Sequence, residues 1–297
     1  GSIGLYGKLF ADHVGRHIPG KPNVLIQTRP GSGGIKAASY TYNAAPKDGT
    51  VIAQLLSPAI LAPVLRNAKF DANKFMWLGS ISPRSSVLSV WHTAPAKTIE
   101  DVKTNEIVLA AGGRPTSNYI IPTLLNKIIS TKFKVVTGYK GGGNMNLAVE
   151  SGEVHGRYIF WTGWTTRKAD WIRDGEIRTI VQIGPRIAAL PNVPSARDLA
   201  SSPEHKQMFD FMSLSERVGL AFYLPPGSPQ DRMEALRKSF MATMKDPAFL
   251  AAAKKRNAPV NPVSGAEIAR IVSAGYKVPP EVLRNLKTMV GFGKKKK

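Results

Sequence analysis

Ile107-Val108-Leu109-Ala110-Ala111-Gly112-Gly113-Arg114-Pro115-Thr116-Ser117-Asn118-Tyr119 reads as a short apolar strand, a corner of small residues and the opening of a helix. The same order occurs twice more. Val24-Leu25-Ile26-Gln27 precedes Pro30-Gly31-Ser32-Gly33-Gly34 and a helical pattern from Ile35. Phe133-Lys134-Val135-Val136 precedes Gly138-Tyr139-Lys140-Gly141-Gly142-Gly143 and a helical pattern from Asn144. A strand that feeds a helix through small residues leaves backbone N–H groups pointing outward at the helix start. The helix dipole adds partial positive charge there, so each corner favours an anion. Three such corners in a basic chain without an evident catalytic set point to a receptor for small anions, not an enzyme.

Outward from these corners, the chain alternates strands and helices. Leu5–His17 predicts an amphipathic helix, stopped by Pro19-Gly20-Lys21-Pro22. Val24–Gln27 predicts a buried strand, Ile35–Asn43 a helix and Thr50–Leu56 a strand, and Ser57-Pro58 opens a further helix. That order is the pattern of a parallel sheet. Trp77–Ile81 and Ser86–Trp91 predict strands, and Thr98–Lys103 a short helix. After the second and third corners come strands at Tyr158–Phe160, Ile177–Ile183 and Gly219–Leu224. Pro225-Pro226-Gly227-Ser228-Pro229 is a hard stop before a helix to Met244, and the remaining chain is helical. Two α/β sections followed by a return predict two lobes: 1–92 with 213–297, and 93–212, with crossovers near residues 90 and 215.

With 297 residues and 43% hydrophobic content, the chain can build one large or two ordinary domains. No apolar stretch approaches the roughly 20 residues that span a bilayer. No signal peptide is visible at Gly1. The absence of cysteine excludes disulfides, thiol nucleophiles and thiolate metal sites. The net charge of +21 suits steering of an anionic ligand. Its basic residues are scattered except for Lys294–Lys297, which reads as a solvated terminus and gives little support to a nucleic-acid role.

Taken together, the segments resemble the Bug-type receptors, the extracytoplasmic solute-binding proteins of tripartite tricarboxylate transporters. The resemblance rests on Tyr6–Gly20 as a first helix, Pro30–Ala38 as a first glycine corner and Ala45-Pro46-Lys47-Asp48-Gly49-Thr50-Val51-Ile52 after it. Tyr139-Lys140-Gly141-Gly142 and Gly152-Glu153-Val154 resemble the second-lobe motif. Leu190–Pro194, Leu224–Gly227 and Met244–Phe249 continue the order. The resemblance implies a type II-like two-lobed periplasmic-binding-protein fold, each lobe a mostly parallel sheet flanked by helices, with the ligand cleft between lobes. It implies hinge closure over a small organic carboxylate held by backbone N–H groups, hydroxyls and ordered waters. It further implies delivery to a membrane permease, an exported periplasmic monomer, and no chemistry, cofactor or metal. Three departures stand out. Gly4 stands where an aspartate is common, which argues against an amino-acid ligand. His155 occupies a usually acidic position. The strand that precedes the first helix in the family is not in this chain, so the first lobe is expected to show a gap or an exposed edge.

The candidate ligand contacts follow. Gly112, Gly113, Thr116 and Ser117 are the principal ones, against the alternative of a capped tight turn. Arg114 is a candidate fork for a distal carboxylate, or a solvated arginine. Tyr139, Gly141 and Gly142 form the second-lobe corner. Ser2, Ile3 and Gly4, ahead of the first helix, face the cleft by the resemblance. Ser57 faces the cleft or caps its helix. Trp161 and Thr162 lie in Phe160-Trp161-Thr162-Gly163-Trp164, an aromatic wall for the ligand or packed core. The Gly31–Gly34 corner reads as structural. His13 and His17, four apart, lack a third metal ligand and read as surface histidines. A hydrolase using Ser32 or Ser117 is the rival reading, but the Gly-x-Ser-x-Gly elbow and the phosphate-loop pattern are both absent.

Overall fold

The computed structural model describes residues 2–114 and 116–292. Pro115 and the Lys294–Lys297 tail lie outside them. The chain forms two units: 1–84 with 214–277, and 85–213 with 278–297. The first unit begins with α1 (Ser2–Val14), α2 (Ile35–Asn43), β1 (Ala53–Gln54), α3 (Ala62–Arg66) and β2 (Met76–Ser80). The second unit follows with β3 (Ser86–Trp91), β4 (Ile107–Ala111), α4 (Ser117–Ile129), β5 (Phe133–Thr137), α5 (Gly142–Glu150), β6 (Gly156–Phe160), α6 (Trp161–Arg167), α7 (Ala169–Arg173), β7 (Ile177–Ile183), α8 (Ala196–Leu199) and α9 (Pro203–Met212). The chain returns to the first unit through α10 (Leu214–Val218), β8 (Ala221–Leu224), α11 (Gln230–Lys245), α12 (Pro247–Lys254), β9 (Val263–Ser264) and α13 (Gly265–Tyr276). It ends in the second unit with α14 (Pro280–Met289).

The fold is α/β with two sheets flanked by helices, but the first unit's sheet is not parallel. Its order is β1-β8-β2-β9, and every pairing in it is antiparallel. The strand that inserts between β1 and β2 comes from the far end of the chain and runs against both. Helix α1 covers this sheet with Tyr6, Leu9, Phe10 and Val14, spaced to share one face. The Phe10 ring lies 4.3 Å from Phe222 and 5.4 Å from Phe240, centre to centre.

Two first-unit expectations fail locally. Val24–Gln27 forms no strand, and Leu25 and Ile26 are 85% and 52% exposed. A short apolar run becomes a strand only beside a partner ladder, and none of the described strands pairs with it. The strand expected at Thr50–Leu56 shrinks to Ala53–Gln54, the stretch that meets β8.

The second sheet has the order β5-β4-β6-β3-β7. Its β4–β5 and β4–β6 pairs are parallel, whereas β3 runs antiparallel to β6 and β7. Those two pairings assign Ser86–Trp91 to the second unit, so the expected boundary at 92 moves back to 84. The C-terminal helix moves too. In α14, Val282 and Leu286 are buried, and Asn285 Nδ2 donates to Glu204 Oε1 on α9 at 2.7 Å. Gly156 opens β6 where a Cβ would sit 2.2 Å from the Ser89 carbonyl oxygen, so only glycine lets β3 approach this closely.

Candidate functional site

In the second unit β4 and β5 end level, and the first residues of β6 lie beside the carboxyl end of β4. Ala110 is in register with Val136 on one side and with Arg157 on the other. Helices α4 and α5 therefore follow level strand ends at one edge of the sheet, with Arg157 at the start of β6 beside them, and α6 begins further along, after Phe160. β4 is followed in the chain by β5 on one side and then by β6 on the other. That reversal leaves a crevice at the strand ends, where ligands of open α/β sheets bind.

The two glycine corners meet at this edge. Tyr139 N–H donates to the Ala111 carbonyl at 3.4 Å, and a Cβ on Gly112 would lie 3.6 Å from the Tyr139 oxygen. Asn118 Nδ2 reaches Met145 Sδ at 3.6 Å, tying the start of α4 to α5. Thr116 Oγ1 donates to the Gly113 carbonyl at 2.5 Å and contacts Asn118 Oδ1, so its hydroxyl fastens the loop and does not cap α4. Ser117 is the first residue of α4. Helix α5 begins after Gly141, which offers no side-chain cap. Gly142, Gly143 and Asn144 are exposed, and a Cβ on Gly141 or Gly143 would meet nothing within 4 Å. As first-turn groups, their N–H donors have no intrahelical acceptor. By contrast, α9, α12 and α13 are capped by Ser202, Asp246 and Ser264.

Arg114 is exposed, its guanidinium carbon 6.0 Å from the Tyr119 ring centre. The Tyr139 hydroxyl donates to Glu153 Oε1 at 2.6 Å. Desolvation, helped by that carboxylate, pushes the phenol up to about 12. Trp161 packs partly buried against a core of Val87, Trp164, Trp171 and Ile187, so the aromatic run is chiefly packing. Thr162 Oγ1 is buried without a hydrogen-bond partner.

The remaining candidates belong to the first unit. Ser57 is fully buried, and its hydroxyl accepts from Arg84 Nη2 at 2.6 Å. Ser2, Ile3 and Gly4 do not precede the first helix, as expected, but form its first turn. Ile3 packs on the first unit's core, and Gly4 is exposed. At the first corner, φ is positive at Gly31, Ser32, Gly33 and Gly34 in succession. A Cβ on Gly34 would fall 2.6 Å from the Leu56 Cβ, so this turn serves close packing. His13 Nδ1 faces the Leu9 carbonyl and His17 Nε2 faces Asp246 Oδ2 at 2.9 Å, so the two rings do not converge. Among the described residues no cluster of three metal-ligating side chains occurs. His155 Nδ1 accepts the Val108 N–H at 3.1 Å, an acceptor role open to a carboxylate at that position.

One residue of the site escaped the sequence reading. Arg157, 5% exposed on β6, donates through Nη1 to the Gly142 carbonyl at 2.6 Å and to Asn146 Oδ1 at 2.7 Å. Desolvation pulls its pKa down to about 10. The apolar pattern starts this strand at Tyr158, and an arginine beside a glycine carries no pattern that marks it as inward.

Two α/β units, one of them with an uncapped, glycine-built helix start at a strand-end crevice, have the architecture of a two-lobed solute-binding protein. The sequence profile of the tripartite tricarboxylate transporter family receptors matches residues 12–288, and the chain belongs to that family. A UPF0065 protein from the gbd 5' region of Cupriavidus necator is 23% identical over 257 residues, covering 84% of this chain and 72% of that one. The solved periplasmic binding protein BugD superposes with a TM-score of 0.68 at 19% identity, covering 97% of this chain and 92% of that one. Rpa4515 of R. palustris, solved with adipate, gives 0.66 at 19% identity over 97% and 92%. MatC (Rpa3494) of Rhodopseudomonas palustris, solved with bound malate, gives 0.64 at 17% identity over 95% and 92%.

Proposed function

We propose that this chain is an extracytoplasmic receptor that captures a small organic carboxylate and delivers it to a membrane permease without chemical change. The observation that carries this reading is the uncapped start of α5 beside that of α4, at the carboxyl ends of β5 and β4. First-turn N–H groups there supply donors and the helix dipole supplies partial charge, so a carboxylate is held without an obligatory salt bridge. Family membership and the adipate- and malate-bound relatives support the same ligand class. In this reading the protein works as a periplasmic monomer. Capture proceeds by hinge closure, with bending at the chain crossings 84–85, 213–214 and 277–278.

The test is a thermal-shift screen of the whole chain against malate, adipate, citrate, benzoate and other carboxylates, with calorimetry on the hits. Ligand at about 100 times its Kd adds about 2.7 kcal/mol to the folded state. One-to-one binding with unchanged ligand recovered afterwards is the expected result. A screen in which no carboxylate moves the transition overturns the proposal.

A further inference from the structure

Arg157 sits where two electrostatic rules oppose it. A cation beside a helix N-terminus has the wrong sign for the dipole. A buried guanidinium without a counter-ion carries a desolvation cost that neutral acceptors return only in part. Both acceptors of Arg157 are neutral, namely the Gly142 carbonyl and the Asn146 amide oxygen, and its buried Nε has no partner at all. No Asp or Glu among the described residues pairs with it, and burial is the sole influence on its titration. The guanidinium is firmly placed. It is wedged against the first turn of α5, with the Trp164 ring centre 6.0 Å away, and the Trp164 Nε1 is itself fixed to Ser89 Oγ at 3.1 Å. A Cβ on Gly142 would lie 3.5 Å from Nη1, and Gly142 is exposed. One residue therefore separates a fixed, uncompensated positive charge from the open corner.

We infer that Arg157 is the counter-charge of the α5 corner: its neutralising anion is the bound carboxylate, supplied from outside instead of by the chain. The inference rests on the reading of this corner as the carboxylate site. Arg157 is a positioning residue in this scheme. It acts through the field behind the α5 N–H groups and through its grip on Gly142. A carboxylate at the corner relieves both the dipole conflict and the missing counter-ion, so binding gains energy that the empty protein forgoes.

Asn146→Asp tests this without removing the arginine. The substitution is nearly isosteric and sets a carboxylate on Nη1, giving the guanidinium an internal counter-ion. If Arg157 were only structural, N146D would lose no more affinity than Leu147→Asp, which adds the same charge one position along α5 at an exposed residue. On the present inference N146D keeps or raises the melting temperature while its affinity for adipate and L-malate, by calorimetry, falls about 30-fold, or about 2 kcal/mol. Arg157→Gln, which keeps hydrogen-bonding capacity but no charge, weakens binding to a similar degree. Should R157Q fail to fold, the comparison of N146D with L147D decides, and equal losses in those two overturn the inference. Wild-type affinity in both folded variants overturns the inference and leaves the receptor reading standing. A wild-type protein that binds neither these two acids nor citrate or benzoate overturns the receptor reading, and the inference with it.

Discussion

Gly143→Asp turns the proposed ligand chemistry back on the protein. Gly143 is the second residue of α5, exposed, with open space where a Cβ would stand. An aspartate there meets no steric obstacle. Replacing a helical glycine recovers about 0.3 kcal/mol of propensity. A carboxylate in the first turn adds about 0.3–1 kcal/mol through the dipole. The variant should therefore be more stable than the parent by about 1 kcal/mol, a rise of about 2–4 °C. Its effect on binding has the opposite sign. A fixed negative charge about 5 Å from a bound carboxylate costs about 3 kcal/mol at an effective dielectric of 20, more than a hundredfold in Kd.

Gly143→Asn is the matching control, with the same shape and no charge. Calorimetry with adipate and malate on both variants separates charge from bulk, and differential scanning measures the stability arm. Equal losses in the two variants would show that the corner responds to bulk alone. No loss in either would place the ligand elsewhere. Either result refutes the electrostatic reasoning even if the protein binds carboxylates.

Asp246 caps α12 through its bond to the Ala248 N–H at 2.8 Å and also meets His17, whose hydrogen bond is the main reason its carboxyl stays below the usual range. Asp246→Ala should cost about 1 kcal/mol at pH 7. Because the folded-state pKa is depressed, the wild-type advantage is complete above about pH 4 and fades as pH falls through the lower folded value, which urea titrations across the acid range would read. Gly156→Ala drives a methyl to 2.2 Å from the Ser89 oxygen and should lower the stability of the second unit by at least about 2 kcal/mol, seen as a reduced urea midpoint. Glu153→Gln removes the charge that assists desolvation at Tyr139, so an ultraviolet titration should show that phenol moving part of the way down from about 12 towards 10.

The second unit was far more legible in the sequence than the first, for a physical reason. From Ile107 to Phe160 each element packs on its chain neighbour, so local pattern and tertiary partner coincide. The strands there lie within two residues of their expected places, and the two glycine corners that were singled out meet. In the first unit the partners are remote. β8 reaches β1 and β2 after an excursion of more than a hundred residues, and a run such as Ala221–Leu224 states that it is apolar without stating its direction. For the same reason Ser86–Trp91 is plainly a strand in the sequence, but only its ladders with β6 and β7 say to which sheet it belongs.

Arg157 shows the limit from the other side. Hydrophobic period identifies what a chain must bury, and a buried charge is invisible to it. Such a residue is recognised only when its surroundings are known, because what distinguishes it is the lack of an acidic neighbour. Among the candidates read from sequence, the glycines of the corner are legible because backbone donors in tight turns need glycine and so leave a trace. Thr116 and Tyr139 stand at the corner, with their hydroxyls turned to Gly113 and Glu153. On the proposed reading, what those side chains withhold falls to the first-turn N–H groups of the exposed Gly142, Gly143 and Asn144 and to the charge behind them. A site of that kind would grip the one feature that all carboxylates share. On that proposal, discrimination among acids rests on groups at the distal end, for which the exposed Arg114 beside Tyr119 is the candidate.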